Sequence, residues 1–326
     1  MIITRTPFRI SFFGGGTDFP HYFTKYGGAV IGSTINKFCY VSCRKIENIF
    51  KYKYRVVWSR NEILNKINNS QNPVVRATLN KIKLKYNIEI HFQADLPKNT
   101  GIGSSSAFCV GLVNSVYGLK NLRINKKKLA EIAVEIEQNK LKEFCGSQDQ
   151  YWSSYGGLNF ITFNKNGKIN VKKLKISKQR KINLQKNLLL MFTGIQRYSK
   201  NIEKSKQISL KNNIKYLKEI NKLTIKSKKI LEGNCTLSKF GEMLNEYWEL
   251  KKKLSKRVSD NFLNKLYKKI LRNGATGAKI IGSGGGGFFL IYCDLGKQKN
   301  LINKMKKFKF VNFKFENEGS KIIYKS

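Results

Sequence analysis

The sequence predicts an α+β protein of two domains, each built from a sheet and the helices that cover it. The 326 residues, 41% hydrophobic and 12% aromatic, are enough to form two buried cores. Strand-like segments with a two-residue period alternate with amphipathic helical segments along the whole chain. A Lys- and Asn-rich stretch at residues 164–186 separates two such sets of segments. We therefore expect domains at residues 1–180 and 181–326.

The first half begins with a strand, because Phe8, Ile10 and Phe12 alternate with polar residues up to Gly14. Further strands are expected near residues 29–35, 38–46, 54–58 and 88–93. Helices are expected over residues 73–86, where Pro73 suits a first helical position, from about 104, and over 125–142. Residues 145–163 are interpreted as a loop, followed by weak strands.

The second half reads strand, helices, hairpin, helix and a final strand pair. The strand is expected at residues 188–193, the helices at 201–232, 237–256, 260–273 and 297–307, and the hairpin at 278–293. This order predicts an antiparallel sheet with helices on one face. The hairpin contains Gly282-Ser283-Gly284-Gly285-Gly286-Gly287, whose letters match a dinucleotide fingerprint. That fingerprint must open a helix, and the strand FFLIY follows here instead.

The chain is organised around LPKNTGIGSSSAFCVGLVNSV at residues 96–116, where a strand gives way through glycine and serine to an apolar helix. Gly101 and Gly103 can take backbone angles closed to other residues. Ser104, Ser105 and Ser106 add hydroxyls beside the unpaired amides of the first helical turn. Such a turn can receive an anion. The alternative is a serine N-cap after a flexible loop.

Three acidic residues are candidates for chemistry. Asp18 directly follows the glycines that end the first strand, and it either accepts hydrogen bonds from substrate hydroxyls or forms a local turn or cap. Asp149 lies among Tyr151 and Trp152, which would desolvate its carboxylate, with a cap or turn as the alternative. Glu137 lies on a predicted helix, where a single acid is most often a solvated one.

Charge and cysteine content restrict the class of protein. The formal net charge of +43 comes from 63 Lys and Arg against 20 Asp and Glu, scattered along the chain rather than gathered into a tail or stripe. This pattern attracts anionic small substrates and does not by itself indicate nucleic acid. Six cysteines without a C-x-x-C pair, and two histidines, argue against a zinc site. We find no signal peptide and no apolar run of about 18 residues, and expect a cytoplasmic protein with free thiols.

Three segments, in this order and spacing, resemble the signature motifs of the GHMP kinases, the superfamily of galactokinase, homoserine kinase and mevalonate kinase. They are RTPFRISFFGGGTD (residues 5–18), LPKNTGIGSSSAF (96–108) and KIIGSGGGGFFLIY (279–292). The resemblance implies an N-terminal domain of the ribosomal-protein-S5 type and a ferredoxin-like C-terminal domain. It also implies ATP and Mg²⁺ as co-substrate and cofactor.

The resemblance implies roles for individual residues. The residues that match the ATP phosphate loop are Gly101, Gly103, Ser104, Ser105 and Ser106. Ser105 matches the magnesium-contacting serine, and Glu137 fits the second metal-contacting position. Asp149, in CGSQDQ, matches the catalytic aspartate of the galactokinase loop, and Arg9 matches the motif arginine near the reacting hydroxyl.

The acceptor implied by the resemblance is a sugar phosphate. Sugar-binding galactokinases carry a glutamate and a histidine where this chain has Gly15 and Gly16, which argues against galactose. The GGGTD, SQDQYWSSYGGLNF and FTGIQRYS segments resemble the D-glycero-D-manno-heptose 7-phosphate kinases, which phosphorylate the anomeric hydroxyl on the way to nucleotide-activated heptose. The residues expected to bind the acceptor are Gly15, Gly16, Asp18, Arg197 and Ser199, with Arg197 as the clamp for the distal phosphate.

Two alternatives stay open. One is another kinase of the same superfamily, for a fucose-type sugar or an isoprenoid precursor. The other is a basic nucleic-acid-binding protein that shares only the S5-like domain. We expect no specific nucleic acid partner, no membrane partner, and a monomer or homodimer.

Overall fold

A computed structural model describes residues 1–196, 202 and 210–326, with side chains in the last range from Asn213 onward. The strands are β1 (Ile2–Phe13), β2 (Gly28–Lys45), β3 (Tyr54–Val57), β4 (Asn61–Leu64), β5 (Ile88–Ala94), β6 (Leu158–Phe163), β7 (Ile169–Lys173), β8 (Leu188–Phe192), β9 (Gly277–Ile280), β10 (Phe288–Tyr292), β11 (Lys309–Phe310) and β12 (Lys321–Lys325). The helices are α1 (Pro20–Tyr26), α2 (Pro73–Ile82), α3 (Ser104–Leu119), α4 (Lys126–Val134), α5 (Gln148–Tyr155), α6 (Lys178–Lys186), α7 (Leu210–Glu232), α8 (Ser238–Lys252), α9 (Asn261–Arg272) and α10 (Leu295–Lys304).

The first sheet has eight strands in the order β12-β1-β2-β5-β3-β4, with β6 and β7 continuing from β2. Its pairs are antiparallel except β3 with β5. Helix α3 packs on β1 and β2, and nearly all its side chains are buried, which agrees with its apolar sequence. The predicted strands and helices of this half are confirmed in outline. The first glycine motif follows the end of β1, and the second precedes α3.

The second sheet has four antiparallel strands in the order β11-β8-β10-β9. Numbered within this half, that order is four, one, three, two, with helices between the first and second strands and again between the third and fourth. This is the ferredoxin-like arrangement that the resemblance to the GHMP kinases implies for the C-terminal domain. The hairpin of β9 and β10 carries the third glycine stretch at its turn.

Several elements differ from the sequence-based expectations. Strand β2 is continuous from Gly28 to Lys45, because a bulge near Asn36 absorbs the break expected there. Helix α2 ends at Ile82, where Lys83 takes a left-handed conformation with φ 51°. The segment interpreted as a loop forms α5 and β6, and the stretch of weak strands includes helix α6. The predicted helix over 125–142 ends in a π-helical turn, Glu135–Lys140.

The last strand returns to the first sheet, where β12 pairs with β1. The domain boundary at residue 180 stays a prediction, since residues from both sides of it complete this sheet. Among the residues that the structure describes, no helix is long and apolar enough to cross a bilayer. The cytoplasmic location also stays a prediction.

Candidate active site

A pocket lies between the two sheets, and all three glycine motifs line it. The loop after β1 contributes Gly15, Gly16 and Asp18, and the loop before α3 contributes Gly101 to Ser106. The β9–β10 turn and the start of α5 complete the wall. Segments that are far apart in the sequence therefore meet at one place, as the motifs predicted.

The loop before α3 leaves amide donors open at the helix start. Its N-cap is Gly103, in a left-handed conformation with φ 76°, and no side chain caps the helix. This excludes the alternative of a serine N-cap. The backbone amides of the first turn therefore have no capping side chain as an acceptor. They lie at the positive end of the helix dipole, where the binding of an anion is favoured.

The third glycine stretch packs its backbone directly on this loop. A Cβ on Gly287 would lie 2.2 Å from the carbonyl oxygen of Thr100, and one on Gly282 would lie 2.5 Å from the Cα of Gly101. Both glycines have positive φ, 83° and 66°. Only glycine meets both requirements. The third glycine stretch thus allows close backbone contact with the loop before α3. The sequence alone did not predict this role for any residue of the stretch.

Arg9 and Asp149 form a bidentate ion pair in the pocket. Arg9 Nε donates to Asp149 Oδ1 at 2.7 Å and Nη2 donates to Oδ2 at 2.6 Å. The guanidinium also donates through Nη1 to the carbonyl oxygen of Gly101. Arg9 is 5% exposed, whereas the Asp149 side chain keeps 21% of its surface exposed. The expected aromatic neighbours, Tyr151 and Trp152, are buried, but the direct partner of Asp149 is Arg9.

Asp18 is a buried carboxylate beside this pair. Its Oδ1 accepts from the amide of Gly16 at 2.9 Å, and its Oδ2 accepts from the backbone N and from Nε2 of Gln148 at 3.3 and 2.9 Å. Burial, and then the charge of Asp149, raise the pKa of Asp18 from 3.8 to about 6. Gly146 is required here, since a Cβ on it would lie 1.8 Å from Asp18 Oδ2.

Glu137 is also buried, at 1% exposure, and is not a solvated helix acid. It lies in the π-helical turn and accepts hydrogen bonds from Ser105 Oγ at 3.0 Å and Ser106 Oγ at 2.7 Å. Burial raises the pKa of Glu137 to about 7. The described residues contain no group of three His, Cys, Asp or Glu side chains that is arranged to hold a metal ion by itself. A carboxylate with a hydroxyl is nevertheless the hard-oxygen set that suits Mg²⁺ when phosphate oxygens supply further ligands.

Two lysines in the pocket were missed by the sequence analysis. Lys279, on β9, is 1% exposed and donates to the carbonyl oxygens of Ser11 and Phe12, with its Nζ 4.1 Å from the ring centre of Tyr247. Lys251, on α8, donates to the carbonyl oxygens of Ile280 and Gly282 at 2.9 and 2.7 Å. In a sequence with 63 Lys and Arg, no composition signal distinguishes these two from solvated lysines.

Two aromatic rings close to Asp18 in the sequence or the fold line the pocket, and a third ring stacks on one of them. Phe19 and Phe144 line it, with ring centres 4.9 Å apart, and His21 stacks on Phe144 at 5.4 Å with 9° between planes. Phe19 follows Asp18 directly, so the turn that sets the carboxylate also sets this ring. Phe19 and Phe144 therefore give the pocket an apolar wall next to Asp18.

The predicted phosphate clamp lies outside the described residues: Arg197, Ser199 and the alternative Lys200 all fall in that part of the chain. The other alternative, Arg5, does not line the pocket. Its guanidinium lies 3.8 and 3.7 Å from Glu316 and Glu318 and 4.3 Å from the ring centre of Phe38. Arg5 is therefore excluded as a clamp by position.

Comparisons with known proteins agree with this geometry. The sequence profile of the GHMP kinases N terminal domain matches residues 69–157, and that of the GHMP kinases C terminal domain matches residues 233–311. The chain is 31% identical to the D-glycero-alpha-D-manno-heptose 7-phosphate kinase of Campylobacter jejuni, over 98% of each protein.

Solved structures give the same fold. A putative sugar kinase from Campylobacter jejuni is 28% identical, with a TM-score of 0.74 over 98% of this chain and 97% of the other. A D-glycero-D-manno-heptose 1-phosphate kinase from Bacteriodes thetaiotaomicron is 20% identical, with a TM-score of 0.81 over the full length of both chains. The chain belongs to the GHMP kinases, and it is an ATP-dependent kinase.

Proposed function

We propose that the protein transfers the γ-phosphoryl group of ATP to the anomeric hydroxyl of D-glycero-D-manno-heptose 7-phosphate, giving the 1,7-bisphosphate. The observation that carries this proposal is the bidentate Arg9–Asp149 pair, which lies between an anion-receiving helix start and the buried Asp18. The choice of acceptor rests on the heptose 7-phosphate kinase of Campylobacter jejuni, which aligns over nearly the whole chain.

The triphosphate would lie at the start of α3. The amides of Ser104, Ser105 and Ser106 begin the helix without a capping side chain. Gly101 and Gly103 take left-handed backbone angles, with φ 82° and 76°, in the loop that leads into this helix start. Backbone donors that are fixed before the substrate arrives stabilise the charge that develops during transfer.

Asp149 would act as the base. As the acceptor oxygen forms a bond to the γ-phosphorus, the bond from that phosphorus to the β–γ bridging oxygen breaks, ADP leaves, and the hydroxyl proton passes to an Asp149 carboxylate oxygen. Each carboxylate oxygen retains a second lone pair beside its hydrogen bond from Arg9. Arg9 thereby orients Asp149 and keeps a positive charge beside the reacting oxygen.

Glu137 and Ser105 would hold Mg²⁺. The ion supplies charge neutralisation to the phosphate oxygens when it is bound. The protein's part is to present the Glu137 carboxylate, which Ser106 orients through its 2.7 Å hydrogen bond.

The acceptor would bind on the other side of Asp149. Asp18 offers carboxylate lone pairs to sugar hydroxyls, Gly15 and Gly16 line the space for the sugar ring, and Phe19 and Phe144 provide an apolar wall. For the distal phosphate, Arg197 with Ser199 stays a prediction. Arg197→Ala is expected to raise the KM for heptose 7-phosphate about 10- to 100-fold, the scale of one charge-assisted contact.

The test is a panel of acceptors with ATP, followed by phosphorus NMR of the product. The panel contains heptose 7-phosphate, heptose 1-phosphate, unphosphorylated heptose, fucose, galactose and mevalonate. We expect consumption of heptose 7-phosphate and a new anomeric phosphate signal. Since both heptose phosphates could give the same bisphosphate, the acceptor that is consumed decides the position. Preferential use of heptose 1-phosphate, fucose or mevalonate would overturn the proposed substrate.

A further inference from the structure

Asp149 has a glutamine on each side, and both glutamine side chains bind a buried carboxylate. Gln148 is 8% exposed and Gln150 is fully buried, in the first turn of α5. On a helix, the residues before and after a given position point about 100° to either side of it. The two glutamines therefore reach in different directions from Asp149.

Gln148 reaches toward the acceptor side. Its Nε2 donates to Asp18 Oδ2 at 2.9 Å, and its Oε1 accepts from Ser11 Oγ at 2.8 Å. The Asp18 carboxylate, which only accepts when it is ionised, requires the amide nitrogen of Gln148 to face it, and the amide oxygen is then left for the Ser11 hydroxyl. Gln148 thus fixes the Asp18 carboxylate, and Ser11 in turn fixes Gln148.

Gln150 reaches toward the phosphate side. Its Nε2 donates to Glu137 Oε2, the same oxygen that accepts from Ser106 Oγ. Ser105 Oγ contacts the other oxygen, Oε1. Gln150 and Ser106 together fix one oxygen of Glu137 and leave the other directed at Ser105.

We propose that Gln148 and Gln150 are positioning residues with separate tasks: Gln148 orients Asp18 for the acceptor, and Gln150 orients Glu137 for Mg²⁺. One helical turn then places three carboxylates relative to one another, those of Asp18, Asp149 and Glu137. This inference rests on the proposed function for the identity of the two ligands. It assigns tasks that neither the family motifs nor the comparisons give to these glutamines.

The test compares Gln148→Met with Gln150→Met, which conserve the side-chain volume and remove the donor. For Gln150→Met we expect Mg²⁺, titrated calorimetrically into enzyme saturated with ADP, to bind about 10-fold more weakly, as losses of outer partners of metal ligands do. For Gln148→Met we expect the KM of the acceptor to rise about 10-fold, with Mg²⁺ binding within about twofold of wild type. Each variant should leave the other's constant nearly unchanged.

Two further variants separate positioning from packing. Gln148→Glu and Gln150→Glu are nearly isosteric but place a second carboxylate against Asp18 or Glu137. At pH 8, Gln148→Glu should therefore raise the acceptor KM more than Gln148→Met does, and Gln150→Glu should weaken Mg²⁺ binding more than Gln150→Met does. A packing role predicts the opposite order. Ser154→Ala is the control on the same helix, because the Ser154 hydroxyl has no hydrogen-bond partner among the described residues.

Equal effects of both methionine variants on both constants would overturn the inference, and so would no effect of either. The Mg²⁺ arm uses only ADP and the ion, so its result does not depend on the acceptor. If wild-type enzyme uses another acceptor from the panel, the proposed substrate fails, and the acceptor arm is read with the compound that is used.

Discussion

At the scale of single residues, the pair of Arg9 and Asp149 determines the chemistry available to the pocket. Asp149→Asn keeps one hydrogen bond to Arg9 and removes the group that accepts a proton. We expect kcat to fall by about 10² to 10⁴, the usual contribution of a positioned general base, while the KM for ATP changes less than about twofold. ADP release measured by a coupled assay checks both constants. Near-wild-type turnover would instead favour transfer by positioning and electrostatics alone.

Asp18 links stability to pH with a definite sign. Its pKa is raised in the folded chain from 3.8 to about 6, so the folded state holds the proton more tightly than the unfolded one. Its contribution to stability is therefore present at low pH and is lost as pH rises through about 6. The shift corresponds to about 3 kcal/mol.

The prediction concerns Asp18→Asn, measured by urea unfolding at pH 4 and pH 7.5. Relative to wild type, the variant should gain about 2 kcal/mol between these two pH values, because it has no proton to lose and because part of the wild-type loss already occurs below pH 4. Glu137 is present in both proteins, so its effect cancels. Glu242→Gln, an exposed change on α8, is the control and should leave the difference flat. A constant difference between Asp18→Asn and wild type would contradict the assigned cost of burying this carboxylate.

At the scale of elements, the local sequence was sufficient to predict a strand or helix where the segment's own hydrophobic pattern determines its structure. Strand β1 and helix α3 have clear periodicity, and both lie where they were predicted. Helix α5 was missed because SQDQYWSS has no apolar stripe; its side chains are buried from several sides at once. The π-helical turn was also missed. Within it Glu137 contacts Ser105, a residue far away in the sequence, and such a contact leaves no local pattern from which the turn could be predicted.

The same distinction holds for the site. Arg9, Asp149, Asp18 and Glu137 were named in advance through motif spacing, and the structure brings them into one pocket. Their partners Gln148 and Gln150 were not named, because a polar residue beside a catalytic candidate has many possible neighbours until the fold is known. Lys279 was not named because its partners, the carbonyl oxygens of Ser11 and Phe12, lie in the other half of the chain. Lys251 was not named because its partners, the carbonyl oxygens of Ile280 and Gly282, come from a turn that follows it at a distance in the sequence.

The contact between the two glycine loops can be tested as an element. In Gly287→Ala the new Cβ meets the Thr100 carbonyl, so the loop before α3 must move. We expect the KM for ATP to rise about 10-fold or more, because misplacement of about 1 Å can cost far more than that, with little change in the acceptor KM. Gly167→Ala is a matched control: its φ of 82° imposes the same backbone strain as 83° at Gly287, but nothing lies within 4 Å of its Cβ. Similar kinetic losses in both variants would assign the effect to strain alone.

At the scale of the whole molecule, the end of the chain supports the first domain. Ser320 donates its amide to the Ser153 carbonyl at 2.7 Å, and its hydroxyl accepts from Thr6 and Asn114 at 2.8 and 3.0 Å. It thus connects α5, β1 and α3 just before β12 joins the sheet.

The expectations of a monomer or homodimer, and of no specific nucleic acid partner, stay predictions. Because the net charge is +43, the salt dependence of any nucleic acid binding is the quantity to measure.

The last prediction is that removing residues 320–326 impairs catalysis at Asp149, which is far from them in the sequence. The truncation opens the edge of β1 and frees the C-terminal turn of α5, the helix that carries Asp149. We expect the free energy of unfolding to fall by about 3 kcal/mol, from several hydrogen bonds worth about 1 kcal/mol each, and kcat to fall about 10- to 100-fold. Ile323→Ser, at a side chain 46% exposed in the same strand, should change stability by less than about 0.5 kcal/mol. If the truncated chain loses stability but keeps its kcat, then β12 and Ser320 stabilise the sheet without positioning α5, and the catalytic helix is held by its contacts with α3 and α4 instead.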